Sequence, residues 1–376
     1  MLVAIGRLGG SPVDSCPRQE QGASPRCPPL AMSTGAATTT EGARAITRLR
    51  PRYGRWAAAA AALLLSSLAA IGACVSQPLV AALPPPAPAL FADPARMERD
   101  VRRLVEEFRP RGYRQIEQLD RAAAYLRAEL SAAGGRVAEQ LYDVEGRTYR
   151  NVLARFGPDS PARVVVGAHY DAANDLPGAD DNASGVAGLL ELGRMLGRTP
   201  LRGEVELVAF TLEEPPYFRS EHMGSVHHAS AMRAAGVKVR AMISLEMIGY
   251  FTDEEDSQAF PLAPLAMLYP TKGNFVAVVG NLEGFSLVRT VKGAMRGATD
   301  LPAYSLSAPA LVQGVDWSDH RSYWEAGYPA IMITDTAFLR NRRYHTDKDT
   351  PDTLDYPRAA KVVTGVAQAV LALANE

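Results

Sequence analysis

The sequence predicts an α/β domain built as a three-layer αβα sandwich around a mostly parallel sheet. Three observations carry that expectation. Short β-branched runs alternate with helical patterns from residue 136 to the C-terminal end. The runs are almost continuously apolar, as strands covered on both faces must be. Several of them are followed at once by His, Asp or Glu, where the carboxyl ends of parallel strands converge on a ligand site. With 376 residues and 47% hydrophobic content, the chain can bury one large core or two modest ones. No internal repeat and no second domain are visible.

Taken in order, residues 1–56 mix Gly, Pro, Ser, Thr and Arg without apolar period and are expected to be disordered. Their last part, Arg48 to Trp56, is a basic block leading into the apolar run 57–74. Basic flank, apolar core and small residues before Cys74 make an export signal. Ile71-Gly-Ala-Cys74 resembles a bacterial lipobox, which would make Cys74 the lipidated first residue of the mature protein. The alternative is an uncleaved N-terminal membrane anchor. Either places the protein outside the cytoplasm, in the periplasm or cell envelope, attached to a membrane. The stretch before the basic block is long for such a signal, and Met32 offers a downstream start. Residues 75–93, with Pro84-Pro-Pro-Ala-Pro88, read as an extended linker, and 94–376 as the folded domain.

Within that domain, 94–108 is an amphipathic helix capped by Asp93, and 115–133 a second helix stopped by Gly134-Gly135. Alternating β-type residues at 136–144 and 149–156 predict a hairpin at a sheet edge. Buried strands are expected at 163–168, 204–210, 239–245, 274–279 and 330–334. Helices are expected at 186–196, 223–235, 284–297, 318–326 and 358–374.

Charge and thiols narrow the chemistry. A formal net charge of −1 gives no electrostatic case for nucleic acid. Cys16, Cys27 and Cys74 all precede the domain, so it has neither a disulfide framework nor a Cys-held zinc. A metal there must be held by His, Asp and Glu. Gly167-Ala-His169-Tyr-Asp171 and Pro177-Gly-Ala-Asp180-Asp181-Asn-Ala-Ser-Gly185 put an imidazole and carboxylates at the rim of the sheet, the ligand mix that suits Zn²⁺. Glu213 and Glu214 follow the next strand, Glu246 the one after, and His345 lies in the loop after the last. Two adjacent carboxylates repel unless a cation takes one and a proton or water the other. One can then ligate metal while its neighbour acts as general base.

These blocks, with Phe210-Thr-Leu-Glu213-Glu214, Leu245-Glu246-Met-Ile-Gly249 and Tyr344-His345-Thr346, resemble the co-catalytic two-zinc exopeptidases of peptidase family M28, which include secreted bacterial leucyl aminopeptidases. The resemblance covers roughly residues 95 to 376. It implies the zinc aminopeptidase (phosphorylase/hydrolase-like) fold with a mixed eight-stranded sheet. It implies two Zn²⁺ per chain: His169 on one ion, His345 on the other, Asp181 bridging, and Glu214 and Glu246 each completing one set. It makes Glu213 the general base toward a water shared by the ions, and Asp171 the acceptor that orients His169. The implied activity is removal of N-terminal residues from peptides. Asp180 reads as loop support.

Two positions depart from the family pattern. Glu246 stands where the family most often has Asp, which moves the carboxylate by about one C–C bond, and Val315 stands where some relatives carry a tyrosine donor. The segment 215–222 is longer than in the simplest relatives, so Tyr217, Phe218 and Arg219 are candidates for shaping specificity. His227 and His228 lie in a helical pattern and read as structural, and His222 as a loop residue. Asp319 and His320 belong to a Ser-Asp-His element at the pocket. Asp347 and Asp349 read as braces of the His345 loop, residues 253–256 as a solvated acidic turn, and Tyr344 and Trp324 as packing. Other readings on the same fold are a single-zinc glutaminyl cyclase-like acyltransferase, a carboxypeptidase or dipeptidase, and a binding domain without catalysis; intact candidate ligands disfavour the last.

Overall fold

The computed structural model describes residues 53–84 and 90–375; the N-terminal extension before 53 and linker residues 85–89 lie outside the described residues. The chain divides into two units, 1–56 and 57–376, and only the opening turn of a helix is described in the first. That helix, α1 (Tyr53–Ser76), is long and apolar enough to cross a membrane, with mean hydropathy 2.2 over Arg55–Ser76.

Eight strands form one sheet: β1 (Arg136–Val144), β2 (Arg147–Phe156), β3 (Ala162–His169), β4 (Glu204–Phe210), β5 (Lys238–Glu246), β6 (Val276–Gly280), β7 (Ala303–Ser307) and β8 (Ala330–Thr334). Their spatial order is β1-β2-β4-β3-β5-β8-β6-β7. The central β4, β3, β5 and β8 run parallel, β1 and β2 form the antiparallel edge hairpin, and β6 with β7 runs antiparallel to β8. The hairpin turns on Glu145 and Gly146, both at positive φ (51° and 75°), the conformation a two-residue turn between twisted strands requires.

Strand side chains alternate between faces and so feed two cores. Val164, Val166, Leu207, Ile243 and Ile333 pack beneath α2 (Pro94–Arg102), α3 (Ile116–Ala132), α4 (Gly185–Leu196), α6 (Phe285–Ala298) and α8 (Tyr356–Asn375). Val165, Val208, Phe210 and Met242 pack on the other face with α5 (Gly224–Ala234) and α7 (His320–Glu325). Each such aliphatic side chain contributes roughly 1.5–3 kcal/mol when fully buried.

Three elements differ from the sequence expectation. The helix from Pro94 is capped by the Asp93 carboxylate, which accepts from Ala95 N at 2.9 Å, but it is α-helical only to Arg102. Residues Arg103–Glu107 widen into a π turn, and the Leu104 carbonyl accepts from buried Arg111 at 2.6 Å. Strand β7 has no apolar run and follows a proline, so its sequence does not announce it. Finally, residues 77–84, extended by composition, are hydrogen-bonded along α6. Leu83 N donates to Gly293 O at 2.9 Å, and a Cβ at Gly297 would stand 1.7 Å from Leu83 O, so only glycine admits the strap there.

Burial lowers His228 and His320 to about 4 each, from an ordinary 6.5. Between those values the unfolded chain binds more protons at both sites, so folding stability should rise with pH from about 4 to 6.5. Urea midpoints across that window check this; for His228→Phe or His320→Phe the slope should be shallower.

Candidate active site

Strand β3 lies between β4 and β5, and the helices that follow β3 and β4 leave on opposite faces. A crevice therefore opens at its carboxyl end. His169 is the last residue of β3 and Glu246 the last of β5; Glu213 and Glu214 follow β4 closely. Asp181 sits in the turn Ala179–Ser184 that opens α4, and His345 in the loop after β8. Three residues here hold left-handed backbone without being glycine: Leu212 (φ 61°), Met247 (φ 47°) and His345 (φ 54°). Each costs of order 1 kcal/mol or more; Leu212 and Met247 turn the chain sharply just past a strand end, and His345 turns the loop after β8.

The structure brings the five candidate ligands into two overlapping groups, His169 with Asp181 and Glu246, and Asp181 with Glu214 and His345. His169 Nε2 lies 3.4 Å from Asp181 Oδ1 and 3.5 Å from Glu246 Oε2. His345 Nε2 lies 3.0 Å from Asp181 Oδ2 and 3.1 Å from Glu214 Oε2. The extra methylene of Glu246 does not keep it from the group. Both Nε2 atoms are buried and make no hydrogen bond of good geometry among the described residues. Donor atoms about 2.1 Å from a tetrahedral Zn²⁺ stand about 3.4 Å apart, so spacing and donor chemistry both fit that ion. Glu213 belongs to neither group; its Oε2 is 3.8 Å from His169 Nε2.

The charges agree. Burial alone would lower both imidazoles, but Glu246 and Glu213 outweigh it at His169, and Asp181 and Glu214 carry His345 up to about 10. Burial, then neighbouring Asp181, pushes Glu214 to about 7. Burial also raises Glu213 well above the usual range, with Glu246, Glu214 and Asp319 adding to it against His169. Asp181 is pushed up by burial but held below the carboxylate range by its two imidazoles. Protons here neutralise what a divalent cation would neutralise on binding, with their release.

The supports act largely through the backbone. His169 Nδ1 faces the Asp171 carbonyl at 3.3 Å and its carboxylate at 3.5 Å, which holds one ring proton there and turns Nε2 toward Asp181 and Glu246. The same carboxylate accepts Glu213 N (3.3 Å) and Glu214 N (3.1 Å), so Asp171 aligns the glutamate pair as well. Asp349 accepts the N–H of Asp180 and Asp181, at 2.9 and 3.1 Å, bracing that turn beyond its own loop. Asp180 itself accepts Gly249 N and Asn341 Nδ2. Asn182 ties the turn to β5 and the residue after it through Leu245 O and Met247 N, and to the start of α4 through Gly185 N.

In the Ser-Asp-His element the contact comes from Ser318, whose hydroxyl donates to Glu246 Oε2 at 2.7 Å. Its neighbour Asp319 is buried, with both oxygens unpartnered among the described residues, and pushed up to about 7 by burial. His320 faces away, toward Val315 O at 2.8 Å. Ser318→Ala should leave Glu246 less well held and weaken metal affinity by about 10-fold or more, measured by chelator competition.

Other candidates lie apart. His228 meets Tyr323 OH at 2.6 Å and His227 stacks on Tyr142. His222 packs edge-on to Tyr217, whose hydroxyl donates to Glu145 at the hairpin tip. Asp347 and residues 254–256 are exposed, and Asp253 pairs with Arg358. Tyr344 stacks on His345 with ring centres 3.9 Å apart, and Trp324 Nε1 donates to Ala330 O.

Beside Glu246 a pocket open to solvent runs over β6, β7 and β8. Phe260, Tyr269, Phe275, Tyr304, Trp317 and Phe338 line it, with Val315 in its wall, and Glu246 is the only carboxylate among the described residues lining it. Arg219, from the 215–222 segment, lies over Trp317 and is bound, with Arg321, by Asp316.

Residues 151–370 match the profile of Peptidase family M28. The chain is 44% identical over 298 residues to the uncharacterized protein YfbL of Escherichia coli (strain K12), spanning 77% of this chain and 91% of that one. It is 27% identical over 290 residues to probable leucine aminopeptidase 1 of Trichophyton verrucosum (strain HKI 0517), spanning 72% of each. Among solved structures, the zinc aminopeptidase BSAP of Bacillus subtilis superposes with TM-score 0.60 at 15% identity, over 75% of this chain and 95% of that one. Porphyromonas gingivalis glutaminyl cyclase superposes with TM-score 0.57 at 22% identity, over 75% and 99%. At these identities the two structures are alike in fold.

Proposed function

Because the chain belongs to peptidase family M28 and is a peptide hydrolase, we propose that it is a two-zinc aminopeptidase that removes residues from free amino ends of peptides. The observation that carries this reading is the pair of His/Asp/Glu groups sharing Asp181, with Glu213 free beside them. His169, Asp181 and Glu246 would hold one ion, and Asp181, Glu214 and His345 the other. Bound zinc supplies Lewis acidity toward a carbonyl and lowers the pKa of water.

The chain's own residues do the rest. Glu213 takes the proton of the attacking water at its carboxylate and returns it to the leaving nitrogen. Burial and neighbouring carboxylates raise its proton affinity, which favours the first of these transfers. Asp171 fixes the His169 tautomer and the direction of Glu213. The acidic walls favour a substrate's free ammonium group, while Arg219 and Arg321 are engaged by Asp316 and do not offer themselves to a terminal carboxylate.

The aromatic cavity would take a large apolar terminal side chain. Ala277 lies on its wall, so Ala277→Phe should lower kcat/KM for Leu- and Phe-p-nitroanilides by about 10-fold or more while sparing Ala-p-nitroanilide. The reading as a whole is tested by titrating metal-free protein with zinc while assaying free-amine and N-blocked peptides. Hydrolysis of the free-amine peptides only, restored by two equivalents, is the expected result. Cyclisation of N-terminal glutamine at one equivalent would replace it with the glutaminyl cyclase reading.

A further inference from the structure

The strap at residues 77–84 is seated as part of the fold. Lys292 of α6 is buried, and its ammonium donates to the Gln77 side-chain oxygen and to Pro78 O at 2.8 Å. Lifting the strap would strip a buried cation of these acceptors. The same Gln77 oxygen takes the N–H and the hydroxyl of Ser305, each at 2.9 Å, on β7, the edge strand of the sheet. Farther along, Arg296 donates to Val80 O and Gln368 to Pro84 O, both at 2.6 Å. Upstream there is no slack: α1 ends at Ser76, and Gln77 N still donates to Ala73 O at 2.8 Å. None of the apolar window Arg55–Ser76 is buried against protein. Around the strap, Leu79 is 90% exposed, and exposed Arg289 and Arg296 lie on the strap-bearing face of α6.

We propose that residues 77–84 clamp the α6–β7 edge of the domain against the lipid bilayer that receives the apolar segment, so that the enzyme sits at the membrane in one orientation. Either anchor gives this geometry. An uncleaved α1 brings the bilayer to Ser76, and a lipidated Cys74 stands three residues from Gln77, a reach of at most about 11 Å. A free tether through Asp93 would reach about 60 Å. Apolar surface and arginines suit a bilayer with anionic lipids. The inference does not rest on the peptidase reading.

The test uses the full chain in phosphatidylethanolamine/phosphatidylglycerol vesicles carrying headgroup spin-labelled lipid. A fluorescent amino acid is placed at Arg289 on α6 or at exposed Leu141 on β1, the opposite edge, across a sheet about 33 Å wide. Quenching at 289 and none at 141 is expected. A Gly/Ser insert of about 20 residues between Ser76 and Gln77, spanning about 25 Å as a coil, leaves the strap's bonds to α6, β7 and α8 in place and should abolish the quenching at 289. Thermal melts confirm that each variant is folded. Failure to sediment with vesicles, equal signals at the two sites, or a signal at 289 that survives the insert would overturn the proposal.

Discussion

Glu213→Gln will cut turnover of free-amine peptides by about 10²–10⁴-fold while leaving zinc content at the parent level. Glu213 stands outside both ligand groups, so removing its charge takes away proton transfer and leaves the five candidate donors untouched. The amide keeps its length, and the Asp171 carboxylate still receives the Glu213 N–H of the backbone, so position is preserved. Metal analysis alongside kcat decides the matter. Loss of zinc together with activity would make Glu213 a ligand instead of the base.

The second large effect is expected at Asp181. Its two oxygens face different imidazoles, His169 at 3.4 Å and His345 at 3.0 Å, so one substitution damages both groups at once. Asp181→Ala should therefore abolish hydrolysis and reduce zinc binding at both positions. The parent should melt higher as zinc is added, because a ligand that binds only the native state stabilises it, and the variant should show little of that rise. Retention of one tight ion and partial activity would mean the two groups are independent.

Most of this architecture was legible because burial on both faces leaves apolar runs, as in Val164-Val-Val166 and the residues of β4 and β5. The side chains that reach the crevice were legible too, since His169, Glu213, Glu214, Glu246 and His345 all occupy strand ends or loops bearing the motif. What stayed hidden acts through backbone groups or close approach. Asp349 and Asn182 accept N–H bonds that no residue pattern signals, and Ser318 is an ordinary serine until Glu246 is seen against it. Strand β7 is a short edge strand without an apolar run. The strap reads as a spacer from its prolines, because its seat is made by two glycines of α6, more than two hundred residues downstream.

The left-handed backbone at Leu212, Met247 and His345 bears on how this enzyme would respond to heat selection. Substitutions that relax those three peptides would raise melting temperature and let the glutamates and the second imidazole drift out of alignment. Thermostable descendants chosen without an activity screen should accumulate changes there and hydrolyse poorly.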